Sequence, residues 1–230
     1  AVSSTNAPIV LDQYISSNAA AAGLFRLAPR KVPPTSLNDT TRLDSVLIAD
    51  QITYSDIAKT LEPEFSLVMY AQSGFLSTGE HLFLRKISDV PALRRALNSL
   101  TSDDYIQRSN GTYIIQSNAI AQLIGSSFCT FQNFYLEIIG DVVAISKRKG
   151  LVEGVSSDRS RRRTMYYEQS FRDIKEDLPE EISGFFIGNS DFYSFIEPFL
   201  SPNNYLNALT SKFDILTAST TASNDEKFSF

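Results

Sequence analysis

The chain has 230 residues, 43% of them apolar and 20% charged, with a net charge of −5. That composition belongs to globular chains with a real core rather than to disordered ones, and the acidic balance argues against general nucleic-acid binding, which needs a basic footprint. One cysteine, Cys129, and one histidine, His81, exclude an intrachain disulfide and cysteine-rich zinc sites, and no stretch approaches the roughly 18 apolar residues that span a bilayer.

Residues 8–16 read as a strand and 18–23 as small and soft. Residues 27–41 carry Pro29, Pro33 and Pro34 among Ser, Asn, Asp and Thr and read as a linker. The expected organisation is thus an N-terminal strand and Pro-rich linker over 1–41, then an α+β domain over 42–230. Residues 44–49 and 55–61 look helical, with Pro63 ending the second piece. The β-rich runs 65–71 and 81–86 flank a turn region holding Gly74 and Gly79, and predict a hairpin. Asn110-Gly111 is a strong hairpin turn between 105–108 and 112–116, and Gly140-Asp141 plays the same part between 134–139 and 142–145. Residues 166–177 predict an amphipathic helix ended near Pro179, and 212–219 the last full strand. The chain opens at Ala1 without a Met, and 224–230 reads as a turn and an alternating strand stopping at Phe230. Such an end leaves an open edge, as expected of a piece of a longer protein. Adjacent hairpins predict a mainly antiparallel sheet with helices packed on one face.

One phrase recurs four times: an apolar strand that runs onto a Ser and then a helix. It occurs at Ser88, Ser117, Ser146 and Ser190. In each case the Ser, or an adjoining Asn or Asp, stands where a helix N-cap is wanted, because its oxygen accepts an orphan backbone N–H. The phrases read either as copies of one unit, giving two similar strand–Ser–helix halves, or as ordinary capping in one α+β domain. Their spacing is uneven, which excludes a fixed-period solenoid.

The chemistry-bearing residues are few. His81 sits beside Glu80 at a strand start, where a general base is one reading and a strand-end His the other. Cys129, among aromatics, reads as a buried small hydrophobe. Phosphate loops, zincin and EF-hand spacings and a G-x-S-x-G elbow are missing from the sequence, so no cofactor or metal is expected. Asn38-Asp39-Thr40 and Asn110-Gly111-Thr112 match the N-glycosylation sequon, and Asp39-Thr40-Thr41 and Asp44-Ser45-Val46 an O-glycan acceptor pattern. Seven basic residues (Lys147, Arg148, Lys149, Arg159, Arg161, Arg162 and Arg163) stand against two acids, Glu153 and Asp158, in an otherwise acidic chain. They form a candidate anion- or partner-binding segment; the alternative is a solvated loop facing the acidic stretch 173–181.

The run from Phe134 through Gly140-Asp141 to Ser146, with a short helix to Val155, resembles a family of long, exported, functionally uncharacterised bacterial cell-envelope proteins built on a domain of unknown function. An aromatic-rich helix start at 165–178, a strand and helix over 185–200 and a strand pair over 213–230 follow in the same order. The segment 42–100 is similar to the family's opening, so the likeness covers about 42–230. It implies an exported protein of the periplasm or cell envelope, with a membrane anchor outside this chain, and it supplies no catalytic residues. The 147–163 segment is more basic than the family pattern. The expected function is therefore a non-enzymatic structural or protein-interaction module. Its partner would be an envelope protein or the remainder of its own chain, met by β-augmentation at the C-terminal strand. The alternative is binding of an anionic ligand or lipid through the basic segment, and a third reading is a hydrolase assembled from scattered residues.

Overall fold

The computed structural model describes residues 10–26, 51–71, 81–100, 106–125, 129, 131–177, 184–189, 192 and 215–220. Nine strands, β1 (Ala21–Arg26), β2 (Leu61–Met69), β3 (His81–Ile87), β4 (Ile106–Ser109), β5 (Thr112–Ile115), β6 (Phe134–Ile139), β7 (Val142–Ser146), β8 (Gly184–Asn189) and β9 (Ile215–Thr220), join one sheet. Its order is β4-β5-β6-β7-β3-β2-β1-β8-β9, and every neighbouring pair is antiparallel. Five helices accompany it among the described residues: α1 (Gln51–Thr60), α2 (Val90–Leu100), α3 (Asn118–Gly125), α4 (Lys149–Ser160) and α5 (Gln169–Glu176). The fold is α+β with an antiparallel sheet, as the adjacent hairpins predict.

The unit of construction is a hairpin followed by a helix, used three times: β2-β3-α2, β4-β5-α3 and β6-β7-α4. The two hairpins whose turns are described close on left-handed residues. Asn110 and Gly111 take φ +52° and +88°, the pair of positive angles that a type I′ turn needs, and Gly140 takes φ +60°. Three of the four predicted caps form at the expected reach. Asp89 Oδ1 accepts from Ala92 N at 2.8 Å, Ser117 Oγ from Ile120 N at 3.2 Å, and Asn189 Oδ1 from Phe192 N at 3.2 Å. At the fourth, Ser146 Oγ accepts from Arg148 N and donates to the His81 carbonyl, so it shapes the turn while α4 starts without a side-chain cap.

The sequence reading places the helices on one face of the sheet; in the structure they divide between both. In each unit the helix begins three residues after the strand ends, on the side to which the last strand residue points. Ile87 and Ile115 face one core, where α1, α2 and α3 pack with Phe65, Phe83, Leu136 and Val143. β7 ends one position out of phase, at Ser146, in step with Val142 and Ala144 in the second core. Helix α4 accordingly lands there, with Val152 and Val155 against Leu82, Leu84 and Ile139. A one-residue difference in strand end changes the face because the side-chain period of a strand is two.

Four local expectations give way. Within 8–16 the described residues form a 3-10 turn, Leu11–Tyr14, instead of a strand. The Glu64 carboxylate accepts from Val10 N at 2.7 Å and Leu11 N at 3.0 Å and so caps the turn's start. The soft segment 18–23 enters β1, in the interior of the sheet between β2 and β8, with small residues because both faces are covered. Pro63 lies inside β2 rather than ending a helix, in the stretch between Leu61 and Phe65 where the register with β3 shifts, a place in a sheet where proline is tolerated. The helix predicted from 166 begins as a separate 3-10 turn, Met165–Tyr167, before α5. The 27–41 linker, the 44–49 helix, Asn38 and the strand end at Phe230 lie outside the described residues.

Candidate functional site

The seven basic residues do not make one patch. Helix α4 runs between them, so Lys147, Arg148 and Lys149 lie at its N-terminus and Arg159, Arg161, Arg162 and Arg163 at its C-terminus, about 18 Å apart at 1.5 Å per residue. The N-terminal trio opposes the helix dipole and is partly neutralised within the fold. Lys149 pairs with Glu153 at 3.0 Å, and Lys147 Nζ stands 5.3 Å from the centre of the Phe131 ring. Lys147 also neighbours His81, whose pKa is lowered by burial first and by the Lys147 charge second. His81 is therefore neutral at pH 7, beside a cation.

The C-terminal group has the sign that the dipole favours and caps α4 in a Schellman arrangement. Arg163 N donates to Asp158 O at 2.8 Å and Arg162 N to Arg159 O at 3.2 Å. The left-handed residue of that motif is ordinarily glycine; here it is Arg162, at φ +55°. An L-residue with a Cβ in that region costs about 1 kcal/mol. Two of the four arginines serve the fold. Arg163 holds Asp158 at 2.8 Å, while its carbonyl accepts from Ser17 N at 3.0 Å. Arg159 lies 4.5 Å over the Tyr14 ring, whose hydroxyl donates to Asp141 Oδ1 at 2.6 Å. Burial and the Asp141 carboxylate push the Tyr14 phenol up to about 12, which keeps that donor protonated.

Arg161 and Arg162 are exposed and continue into a feature that the sequence did not mark as a site. Thr164 bridges to Ser16, Met165 N donates to Ile15 O at 2.9 Å, and the buried Met165 pins the 3-10 turn. That turn carries Tyr166 and Tyr167 outward, 41% and 43% exposed, the large exposed hydrophobics among the described residues. Their rings meet edge to face, 5.1 Å apart at 90°. Each is topped by a cation: Arg162 Cζ lies 5.8 Å from the Tyr167 centroid and Lys175 Nζ 6.0 Å from that of Tyr166. Lys175 is itself held by Asp12 at 2.7 Å. The available sequence signal was Met165-Tyr166-Tyr167: consecutive aromatics in an amphipathic segment do not all face one core.

The other chemistry-bearing residues serve the fold. Cys129 is buried and burial pushes its thiol up to about 12, as a small core hydrophobe requires. A groove of about 540 Å³ between α1 and α2 is lined by Asp56, Lys59, Asp89, Arg95 and Ser99. Asp56 is paired with Lys59, Asp89 caps α2, and the Ser99 hydroxyl donates to Ala96 O within that helix. Among the described residues no three His, Cys, Asp or Glu side chains are grouped to hold a metal ion, and no helix is long and apolar enough to cross a membrane. No protein-family model matches the chain, and neither a curated protein nor a solved structure matches it.

Proposed function

We propose that the chain is a non-enzymatic interaction module of an exported cell-envelope protein, and that its protein partner docks on the Tyr166–Tyr167 face. The observation that carries this reading is the outward tyrosine pair capped by Arg162 and Lys175. Tyrosine and arginine are among the residue types that carry most binding energy at protein interfaces: tyrosine buries a large surface with few rotamers to freeze and keeps a polar hydroxyl, and arginine presents a planar fork of donors. The envelope location rests on the resemblance of residues 42–230 to exported proteins.

The test is site-specific cross-linking in the native cells. A photoreactive phenylalanine analogue at position 167 is expected to give one dominant protein adduct in the envelope fraction. The same analogue at the exposed Ser156 of α4 is expected to give none. Equal labelling from both positions, or none from either, removes the proposal.

A further inference from the structure

Arg162 occupies the one backbone position of the α4 terminus where an arginine is the wrong residue for stability. It is left-handed at φ +55° in a motif built for glycine, and exposed, with its guanidinium over the Tyr167 ring. Strain held at an exposed position points to use of the side chain that is kept there. Arg161 stands next to it, also exposed. The Arg162 guanidinium over an exposed ring, with the exposed Arg161 its neighbour in the chain, suits planar carboxylates, which arginine binds through two parallel N–H donors.

The surroundings set the shape of what fits. Glu168, Asp173, Glu176 and Asp177 are exposed on the neighbouring turn and α5, and the whole chain carries −5. A broad anionic surface approaching this region is repelled by those acids and by the net charge. A narrow acidic chain needs only the Arg161–Arg162 pair and the Tyr167 ring, and so meets less of that repulsion.

We infer that Arg161, Arg162 and Tyr167 form a recognition site for an extended acidic segment of a protein partner, with carboxylates on the arginines and an apolar or proline side chain on the ring. This rests on the reading of the Tyr166–Tyr167 face as a protein-contact surface and names the chemistry of what docks there.

The probes are a capped peptide of alternating Glu and Pro, its Lys–Pro counterpart, and phosphatidylglycerol vesicles, each titrated into the whole chain at low salt. The Glu–Pro peptide is expected to bind and the other two are not. Arg162→Gly is expected to weaken that binding at least tenfold while its melting temperature holds or rises, and Arg162→Lys to weaken it without the thermal gain. Equal peptide binding by Arg162→Gly, a lowered melting temperature in that variant, no peptide binding, or preference for the vesicles would each overturn the inference. A dominant cross-link at position 167 alongside an unbound acidic peptide defeats the acidic-segment inference alone, whereas loss of the cross-link defeats the underlying reading.

Discussion

Arg85, in the middle of β3, donates through Nη1 to the Ile124 carbonyl at 3.0 Å, in the last turn of α3. Nε donates to the Glu62 carbonyl at 2.8 Å, and the residue is fully buried. A cation at a helix C-terminus satisfies orphan carbonyls and opposes the dipole's negative end. Burial pulls its pKa down to about 10, which leaves it charged at pH 7. Arg85→Met keeps most of the volume and removes every donor, so the carbonyls of Glu62 and Ile124 lose their Arg85 partner. We expect a loss of about 3–5 kcal/mol in urea denaturation; a loss below about 1 kcal/mol contradicts this role.

Two glycines have opposite outcomes on substitution by alanine. At Gly140 the backbone is left-handed, and a Cβ would stand 2.8 Å from Tyr14 Oη and 3.0 Å from Arg159 Nη1. Gly140→Ala is expected to lose about 2 kcal/mol. Gly154 lies inside α4, where a Cβ meets nothing within 4 Å, so Gly154→Ala is expected to gain about 1 kcal/mol. Thermal melts of the two variants side by side check the sign of each.

Glu137 is held above the usual carboxylate range, first by burial and then by the facing charge of Glu153. A carboxyl whose folded pKa exceeds its unfolded value binds its proton more tightly when folded. Its contribution to stability is present below the unfolded value, about 4, and is lost as pH rises through the folded one. Asp12, raised by burial against the opposing pull of Lys175, has the same sign. Glu137→Gln is therefore expected to raise the melting temperature at pH 7 and to leave it unchanged at pH 4. A loss at pH 7 would show that the carboxylate is used.

Cys129 should react with a soluble disulfide reagent only when the chain opens. Its pKa of about 12 and its burial leave almost no accessible thiolate at pH 8. The labelling rate is expected to follow urea concentration through the unfolding transition; rapid labelling of the folded chain would contradict the packing.

Much of the sheet was legible because its hairpins are written locally. Asn110-Gly111 and Gly140-Asp141 fix their turns, and Asp89 and Ser117 mark the helix starts that follow. What was not legible depended on partners far away in sequence. The 3-10 turn at Leu11–Tyr14 is imposed by Glu64 and Asp141, and the bland run 18–23 becomes a strand because β2 and β8 close on it from both sides. Of the basic segment, the sequence showed its charge but not that a helix divides it or that Arg159 and Arg163 are spent on the fold. In the sequence Tyr166 and Tyr167 read as a helix start; the 3-10 turn carries both rings outward instead.

The place of β1 also governs the order in which the molecule is made. The three hairpin–helix units pair neighbours in the chain and close early, since short loops cost little entropy. Ala21, by contrast, pairs with Met69 on one side and with Gly188 on the other. On the ribosome the second of these partners is synthesised long after the first. Until then β1 is an open edge in a growing sheet, exposing Ala22 and Leu24 to self-association. The earliest described strand to emerge is thus among the last to be covered on both sides.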